Sequence, residues 1–469
     1  MSDTPIQKAG EVEFDEFFIT NQQKENVDIT QMMAEIGLYE DIFSPFMHGY
    51  LILSDAKDLI NNFGIQGGEG VTIKFRSKTL PDEPHLIIEK SFAIYAIEDR
   101  ALIDDRQSTY TLKFCSWEAF ADGAVTIKGS IPTEGRTTSD QMATKIWTDY
   151  ITRNRRVDGE EKTELLISNA PHKREFQYLS NSWSPMQNMA YIARMACTED
   201  DISDFVFFES NKGFYLTSLS NLINNQLDQP FDEYSFITDG QAPLPKDTSI
   251  GYTNDAFPDN PEMSQINEIT IPRTIDILDS QLSGHYANNT ITYDFFAKTK
   301  GQFLADVRRD FPYYGRTDAG IPVPAGVPRD SFSVTNIKYV NGFLSLNRAG
   351  GFPSDGAEPY KEEVNPAFTL SDSIRQQYMS SFKDYTFEMI VPGRTDIEVG
   401  RVINLNYPLA GEKQSGEEYL DPFLAGSYLV TAIKHEWTFT DYKMRMEIVK
   451  NGLMYSMGDA EDEVNLYED

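Results

Sequence analysis

Cysteine is nearly missing from this 469-residue chain: only Cys115 and Cys197 occur. Each sits in or at the end of an apolar pattern ("YTLKFC", "YIARMAC"), so buried free thiols are favoured over a disulfide. The five histidines, at 48, 85, 172, 285 and 435, are scattered singly, and no Cys/His spacing fits zinc. No cofactor or metal is expected. No run approaches eighteen apolar residues, which excludes a membrane-spanning helix. The opening stretch "MSDTPIQKAGEVEFDEFF" lacks the basic and apolar regions of a secretory signal, so the expected place of synthesis and assembly is a cytoplasm. Positive charge is also short, with 41 basic against 73 acidic residues and a net charge of −32. Such a surface repels nucleic acid and argues against DNA binding as the activity.

Catalytic motifs are missing as well. "GIQGGEG" (64–70) leads into a strand and lacks the Lys-Ser/Thr of a phosphate loop. There is no Gly-x-Ser-x-Gly elbow, no His-Glu-x-x-His pair and no calcium loop. Adjacent carboxylates such as Asp104 and Asp105 read as a solvated turn rather than an acid/base couple. His435, at the end of a strand, reads as structural. The aromatics of "WTFTDY" (437–442) fit core or interface better than a sugar platform. The expectation is a protein that is not an enzyme.

What the chain does have is apolar and aromatic material, 40% hydrophobic with 30 Phe and 24 Tyr, enough for packed cores in two to four domains. It also has a long-range repeat. "SFAIYAIEDR" (91–100) returns as "SYLVTAIKHE" (427–436), and each copy runs through a polar turn into an alternating strand, "TYTLKF" in one and "YKMRMEIV" in the other. Period-two alternation marks half-buried antiparallel strands, so each copy reads as a hairpin. Upstream, "HGYLILSD" (48–55) matches "YTFEMIVPG" (385–393), and the glycine-led "GEGVTIKF" (68–75) matches "VGRVINLNY" (399–407). Four strands in the same order predict a duplicated domain with material inserted between and within the copies.

The stretch between the copies differs in character. "TTSDQMATKIWTDYI" carries Thr/Ser caps and helical spacing, and "WSPMQNMAYIARMA" opens with Ser184 as N-cap and Pro185 at the first helical position. "DFVFFESNKGFYL" reads as two strands around an Asn-Lys-Gly turn. The predicted organisation is a first copy of the duplicated β domain (1–115), a mixed α/β domain (116–262) and a second copy (263–300 with 381–455). A loop-rich insertion spans 301–380, and an acidic tail, 456–469, closes the chain. The fold class is mainly β with α+β insertions.

Three segments carry a resemblance. "DIEVGRVINLNYP…GSYLVTAIKHEWTFTDYKMRMEIVKNGL" resembles the closing domain of the baseplate hub proteins of contractile-tailed phages. "WSPMQNMAYIARMA…DFVFFESNKGFYLTSLSNL" is similar to that family's intervening domain, and "LSGHYANNTITYDFFAKTKGQ" (282–302) to the segment opening its second barrel. The resemblance extends to the hub part of type VI secretion spike proteins, where a β-helical spike follows on the same chain. Here the sequence ends soon after residue 455, so a spike on a separate polypeptide is expected.

The resemblance implies that both copies are tube-like β-barrels, in a homotrimer whose six barrels adapt a sixfold tail tube to a threefold cell-puncturing spike. Closed rings need matching symmetry at each contact, and duplication resolves the mismatch. Further implied partners are a tail tube or tube-initiator protein, the tape-measure protein and the surrounding wedge proteins. DNA would pass through the lumen without specific binding, and the location would be the virion baseplate, assembled in the host cytoplasm. The residues named for the lumen or a subunit interface are Lys113, Lys443, Arg445 and Glu447, on the polar face of the final strands. A glycan-acting or adhesin module at the tail tip is the alternative.

Overall fold

The computed structural model describes residues 10–454 except 79–85, 105, 153–163, 169–174, 199–201, 228–231, 236–264, 295–298, 325, 328–333, 341–365, 409–419 and 439–440. The acidic tail therefore lies outside the described residues. Half of the chain is strand and about a fifth helix, so the mainly β expectation holds.

The first half of the fold consists of β1 (Val12–Thr20), β2 (Asn26–Asp28), β3 (Met33–Asp41), β4 (His48–Asp55), β5 (Gly70–Ser77), β6 (Ile88–Asp104) and β7 (Gln107–Ser116). Alternation decides their faces: in β4 and β5 every second residue is buried, as the period of two requires. In the middle region, α1 (Ser139–Ile146) and α2 (Pro185–Met195) pack beside a hairpin of β8 (Phe205–Ser210) and β9 (Gly213–Ser218). The expected start of α2 is present in full. Ser184 accepts from the Gln187 amide at 3.3 Å while the Gln187 side chain accepts from the Ser184 amide at 3.0 Å, a reciprocal cap with Pro185 just inside it. The region has its own core around Met142, Trp147, Met189, Ile192 and Phe214. It ends in α3 (Leu219–Leu227) and β10 (Asp232–Ser235).

The chain then runs through β11 (Glu268–Arg273), α4 (Ile277–Ser283), β12 (Ala287–Asp294), β13 (Thr299–Asp306), β14 (Val334–Val340) and α5 (Pro366–Ser381). It finishes with β15 (Tyr385–Pro392), β16 (Val402–Asn406), β17 (Gly426–Thr438) and β18 (Tyr442–Lys450). The segment expected to be loop-rich, 301–380, thus contributes most of β13, all of β14 and all but the last residue of α5. Residues 282–300, expected in the second barrel, supply β12, which pairs with β13 and β14 in a separate sheet. The reason is polarity. Asn288 and Thr290 are fully buried on β12 and bond to Ser373 of α5, so this strand faces a hydrogen-bonded layer instead of the apolar core.

One sheet joins the two ends of the chain. Its order is β11-β15-β18-β17-β3-β4-β7-β6-β5-β1-β2, with β10 and β16 attached beside β17. The first half reads β3-β4-β7-β6-β5 and the second reads β11-β15-β18-β17-β16. Strand for strand, the order is the same. Detail repeats too. The β6/β7 ladder shifts register between Ile94 and Ala96, and the β17/β18 ladder shifts between Val430 and Ala432, 336 residues later in each case. The Gly68 amide donates to the Ile94 carbonyl at 2.7 Å, and the Gly400 amide to the Val430 carbonyl at 2.8 Å. Both glycines have φ near +85°, at +89° and +84°.

The expected closed barrels are not present among the described residues; each half is an arc of the common sheet. β17 explains how. Its first residues pair with short β16, and the rest of the same edge, Ala432–Thr438, is left open and pairs antiparallel with β3. An edge that would otherwise seek closure is satisfied by the other half. The buried side of the sheet forms one apolar core running through both halves, from Leu51, Phe75 and Leu112 to Ile433, Trp437 and Met446. No described helix is long and apolar enough to cross a membrane.

Candidate functional site: the polar sheet face and its seam

The side of the sheet opposite the core is polar, and register decides which residues share it. Lys443, Glu436, Gly37, Tyr50, Lys113 and Ala96 stand opposite one another in sequence across β18, β17, β3, β4, β7 and β6. The next row holds Arg445, Lys434, Tyr39 and His48. Glu388 of β15 faces Glu447.

All four residues named from the sequence therefore lie on one face, but they are not one cluster. Lys443, Arg445 and Glu447 alternate along β18, while Lys113 is four strands away on β7. Lys113 and Glu447 occupy corresponding places, each opposite the alanine that follows the bulge, Ala96 or Ala432. One fold position thus carries opposite charges in the two halves.

Each cation has a carboxylate nearby. Lys113 pairs with Glu98 at 2.6 Å, and that carboxylate holds its ammonium above the usual range. Arg445 lies 3.7 Å from Glu388. Lys443 faces Glu436, which is itself paired with Lys434 at 2.6 Å. Glu447 accepts from the Thr431 hydroxyl at 2.6 Å. Exposed pairs of this kind stabilise little. Their consequence is electrical: the face alternates in sign instead of presenting a stripe of one charge. Lys434, Glu436, Glu98 and Glu388 were missed by sequence reasoning, although strand alternation placed them on the same side. Tyr39 and Tyr50 add an aromatic patch under the Lys434 ammonium, which lies 5.9 and 5.3 Å from their ring centres. Burial pushes the Tyr50 phenol up to about 12, with the bonded Glu35 carboxylate adding to the shift.

The seam between halves is aromatic. Trp437 of β17 is fully buried, meets Phe75 of β5 nearly edge-on at 4.5 Å and stacks on Tyr442 at 5.1 Å. His435, read from the sequence as structural, is also fully buried here. Its Nδ1 lies 2.8 Å from the Tyr442 hydroxyl and its Nε2 3.5 Å from Glu40 of β3.

The β8–β9 hairpin is tied to both halves. Buried Glu209 accepts from the Met47 amide and the Lys90 ammonium, each at 2.8 Å, and also bonds Ser116. Burial raises its carboxyl above the ordinary range, and Lys90 opposes that shift. On the other side Lys212 and Ser210 bond Glu398, which precedes β16. The middle region thus acts as a strut against the core side of the sheet.

No protein-family profile matches the chain, and no curated protein matches it. Among solved structures it is similar to a tail protein of Neisseria meningitidis MC58, with 7% identity, a TM-score of 0.48, and coverage of 94% of this chain and 98% of that one. The 43 kDa tail protein of prophage MuSo2 from Shewanella oneidensis gives 8% identity and a TM-score of 0.49 over 93% and 99% of the two chains. A component of the Escherichia coli type VI secretion system gives 7% and 0.39 over 95% and 78%.

Proposed function

We propose that this chain is the structural, non-enzymatic hub of a contractile tail. In this reading three copies form a ring of six half-sheets that meets a sixfold tail tube on one side and a threefold spike on the other. The observation that carries it is the repeat within the chain: five strands in the same order twice, with the same bulge and the same left-handed glycine at the same place. A ring built from two related units per chain has two symmetries at once, threefold by chain and nearly sixfold by unit. The resemblance of the closing, middle and 282–302 segments to phage baseplate hubs supports the same reading. The alternating-sign face would line the channel that holds the tape-measure protein and later passes DNA. A tube-initiator protein and wedge proteins would surround it in the virion baseplate, after assembly in the host cytoplasm.

Native mass measurement on the full chain mixed with its spike partner tests this, together with imaging of the particle without imposed symmetry. Three copies per spike, with six similar lobes facing the tube, is the expected result. A ring of six whole chains, or a chain found only on peripheral fibres, would overturn it.

A further inference from the structure

The seam at β17–β3 has a counterpart that is left open within one chain. In the second half, the far part of β17 is covered by β3. In the first half, the corresponding part of β6 runs on through Ala96–Asp104, and its edge away from β7 has no strand partner among the described residues. At the other end of the sheet, β11 corresponds to β3. Among the described residues it pairs only with β15, so its outer edge has no described strand partner either. One chain therefore ends in the two complementary halves of a contact that it also makes internally.

The exposure of these edges is the second observation. On β17, Ile433 and Trp437 are 1% and 0% exposed, whereas on β6 Leu102 and Ile103 are 83% and 58% exposed. A long strand edge with bare apolar side chains is a template for another strand, and monomeric proteins blunt such edges. Beside β11, Leu278 and Leu282 of α4 are each 72% exposed, giving this edge an apolar flank of its own.

The geometry points to a head-to-tail contact between copies of this chain, in which the outer part of β6 adds antiparallel to β11 of the next copy. The internal seam supplies the register. Trp437 faces Tyr442 on one side and Ile36 on the other. Leu102 faces Ser108, which corresponds to Tyr442; Ile269 faces Met389 as Ile36 faces Leu51. Leu102 therefore takes the place of Trp437 and meets Ile269 of the next copy, with Ala101 opposite Thr270 and Ile103 opposite Glu268. β6 carries one extra residue at Asp99–Arg100, where its ladder to β7 shifts and Asp99 has φ +52°, and this sets the offset. The inference rests on the proposed ring only for the number of copies; the edge contact itself follows from the repeat.

The test is disulfide trapping in the full chain carrying Leu102→Cys and Ile269→Cys. Directly opposed strand residues have Cα atoms about 4.5–5.5 Å apart, within disulfide reach. Within one chain the two positions are seven strand intervals apart along the sheet, and mass on a non-reducing gel separates an internal bridge, which leaves a single chain, from the interchain bridge that joins copies. The native Cys115 and Cys197 are buried, and the single variants control for them. Oxidation is run in roughly 1 M salt, where the screening length falls to about 3 Å and the acidic copies repel least. Expected are interchain bridges in the double variant only, closing at three chains, and loss of association in Leu102→Glu, an exposed site where folding is unaffected. Bridges that extend into open polymers keep the edge contact and overturn the threefold ring. Threefold particles that form without bridges and ignore Leu102→Glu overturn the edge contact and leave the hub reading intact. A wild-type chain that stays monomeric in this salt with no bridging overturns the contact.

Discussion

Lys450 shows how single residues constrain this fold. Its ammonium is fully buried at the end of β18, donates to the Ala425 carbonyl at 2.9 Å and sits 4.9 Å from the Tyr428 ring centre. Burial lowers its pKa to about 8, partly opposed by Asp318. Asp318, which accepts from the Ser427 amide, is raised by burial to about 6, with Lys450 opposing. Each charge favours the ionised form of the other, so Lys450→Met should destabilise the fold and adding Asp318→Asn should recover part of that loss. The pH dependence follows from the two directions. Lys450 binds its proton more weakly folded than unfolded, so its contribution to stability rises as pH climbs from about 8 toward the unfolded value of 10.5. Asp318 binds its proton more tightly folded, so its contribution is fullest below 3.8 and falls as pH rises to about 6. Urea unfolding of wild type against the double variant should therefore show the pair contributing least between about pH 6 and 8. A difference curve peaking there would contradict the assignment.

Gly68 and Gly400 make the repeat testable at the same scale. A Cβ on Gly68 would meet only the Phe120 ring at 3.9 Å, while one on Gly400 would come within 3.3 Å of Leu222. Both need the left-handed backbone, so Gly68→Ala should cost about 1 kcal/mol from strain alone. Gly400→Ala should cost more. Equal losses, or none, in thermal unfolding would show that the shared conformation is not required.

Among the elements, strands with alternating apolar residues were legible from sequence, because a strand between core and solvent writes its burial into every second position. β4 with β15, β5 with β16, β6 with β17 and β7 with β18 were matched this way, and the structure gives each pair the same place in its half. Two kinds of element escaped. β12 is buried among hydrogen-bonding side chains, so its strand signal is polar, and it was grouped with the wrong sheet. β3 and β11 were not matched because β11 is short and, among the described residues, paired on one edge alone, while its partner in the repeat is covered on both sides. The seam was also illegible: nothing in "WTFTDY" says that Trp437 packs on Phe75, 362 positions earlier. That contact defines a test. Trp437→Ala should destabilise by about 3–5 kcal/mol, the range for a fully buried aromatic, and should lower one cooperative transition because both halves share a core. Two separated transitions in the wild-type protein would mean the halves fold independently and the seam is incidental.

At the scale of the whole molecule, net charge and local charge lead to one expectation about DNA. A chain at −32 repels phosphate at long range, yet Lys113, Lys434, Lys443 and Arg445 lie on the one face proposed to line a channel. DNA affinity comes mainly from such cations releasing counterions, with log K falling by about 0.9 per log unit of salt for each phosphate contact. The arrangement on the sheet counters this, because Glu98, Glu436 and Glu388 lie within pairing distance of Lys113, Lys434 and Arg445. The basic pair Lys443 and Arg445 also occurs in one half only, where the first half has Thr109 and Thr111 at the corresponding places on β7. A ring of such halves would alternate in charge and give passing phosphates no continuous track. The full chain should therefore show no measurable duplex DNA binding at low salt. The triple variant Glu98→Gln, Glu388→Gln, Glu436→Gln should bind detectably, with an affinity that falls steeply as salt is added. Salt-sensitive binding by the wild-type chain would overturn the expectation of a non-binding face while leaving the edge contact and the ring untouched, since neither depends on what the face repels.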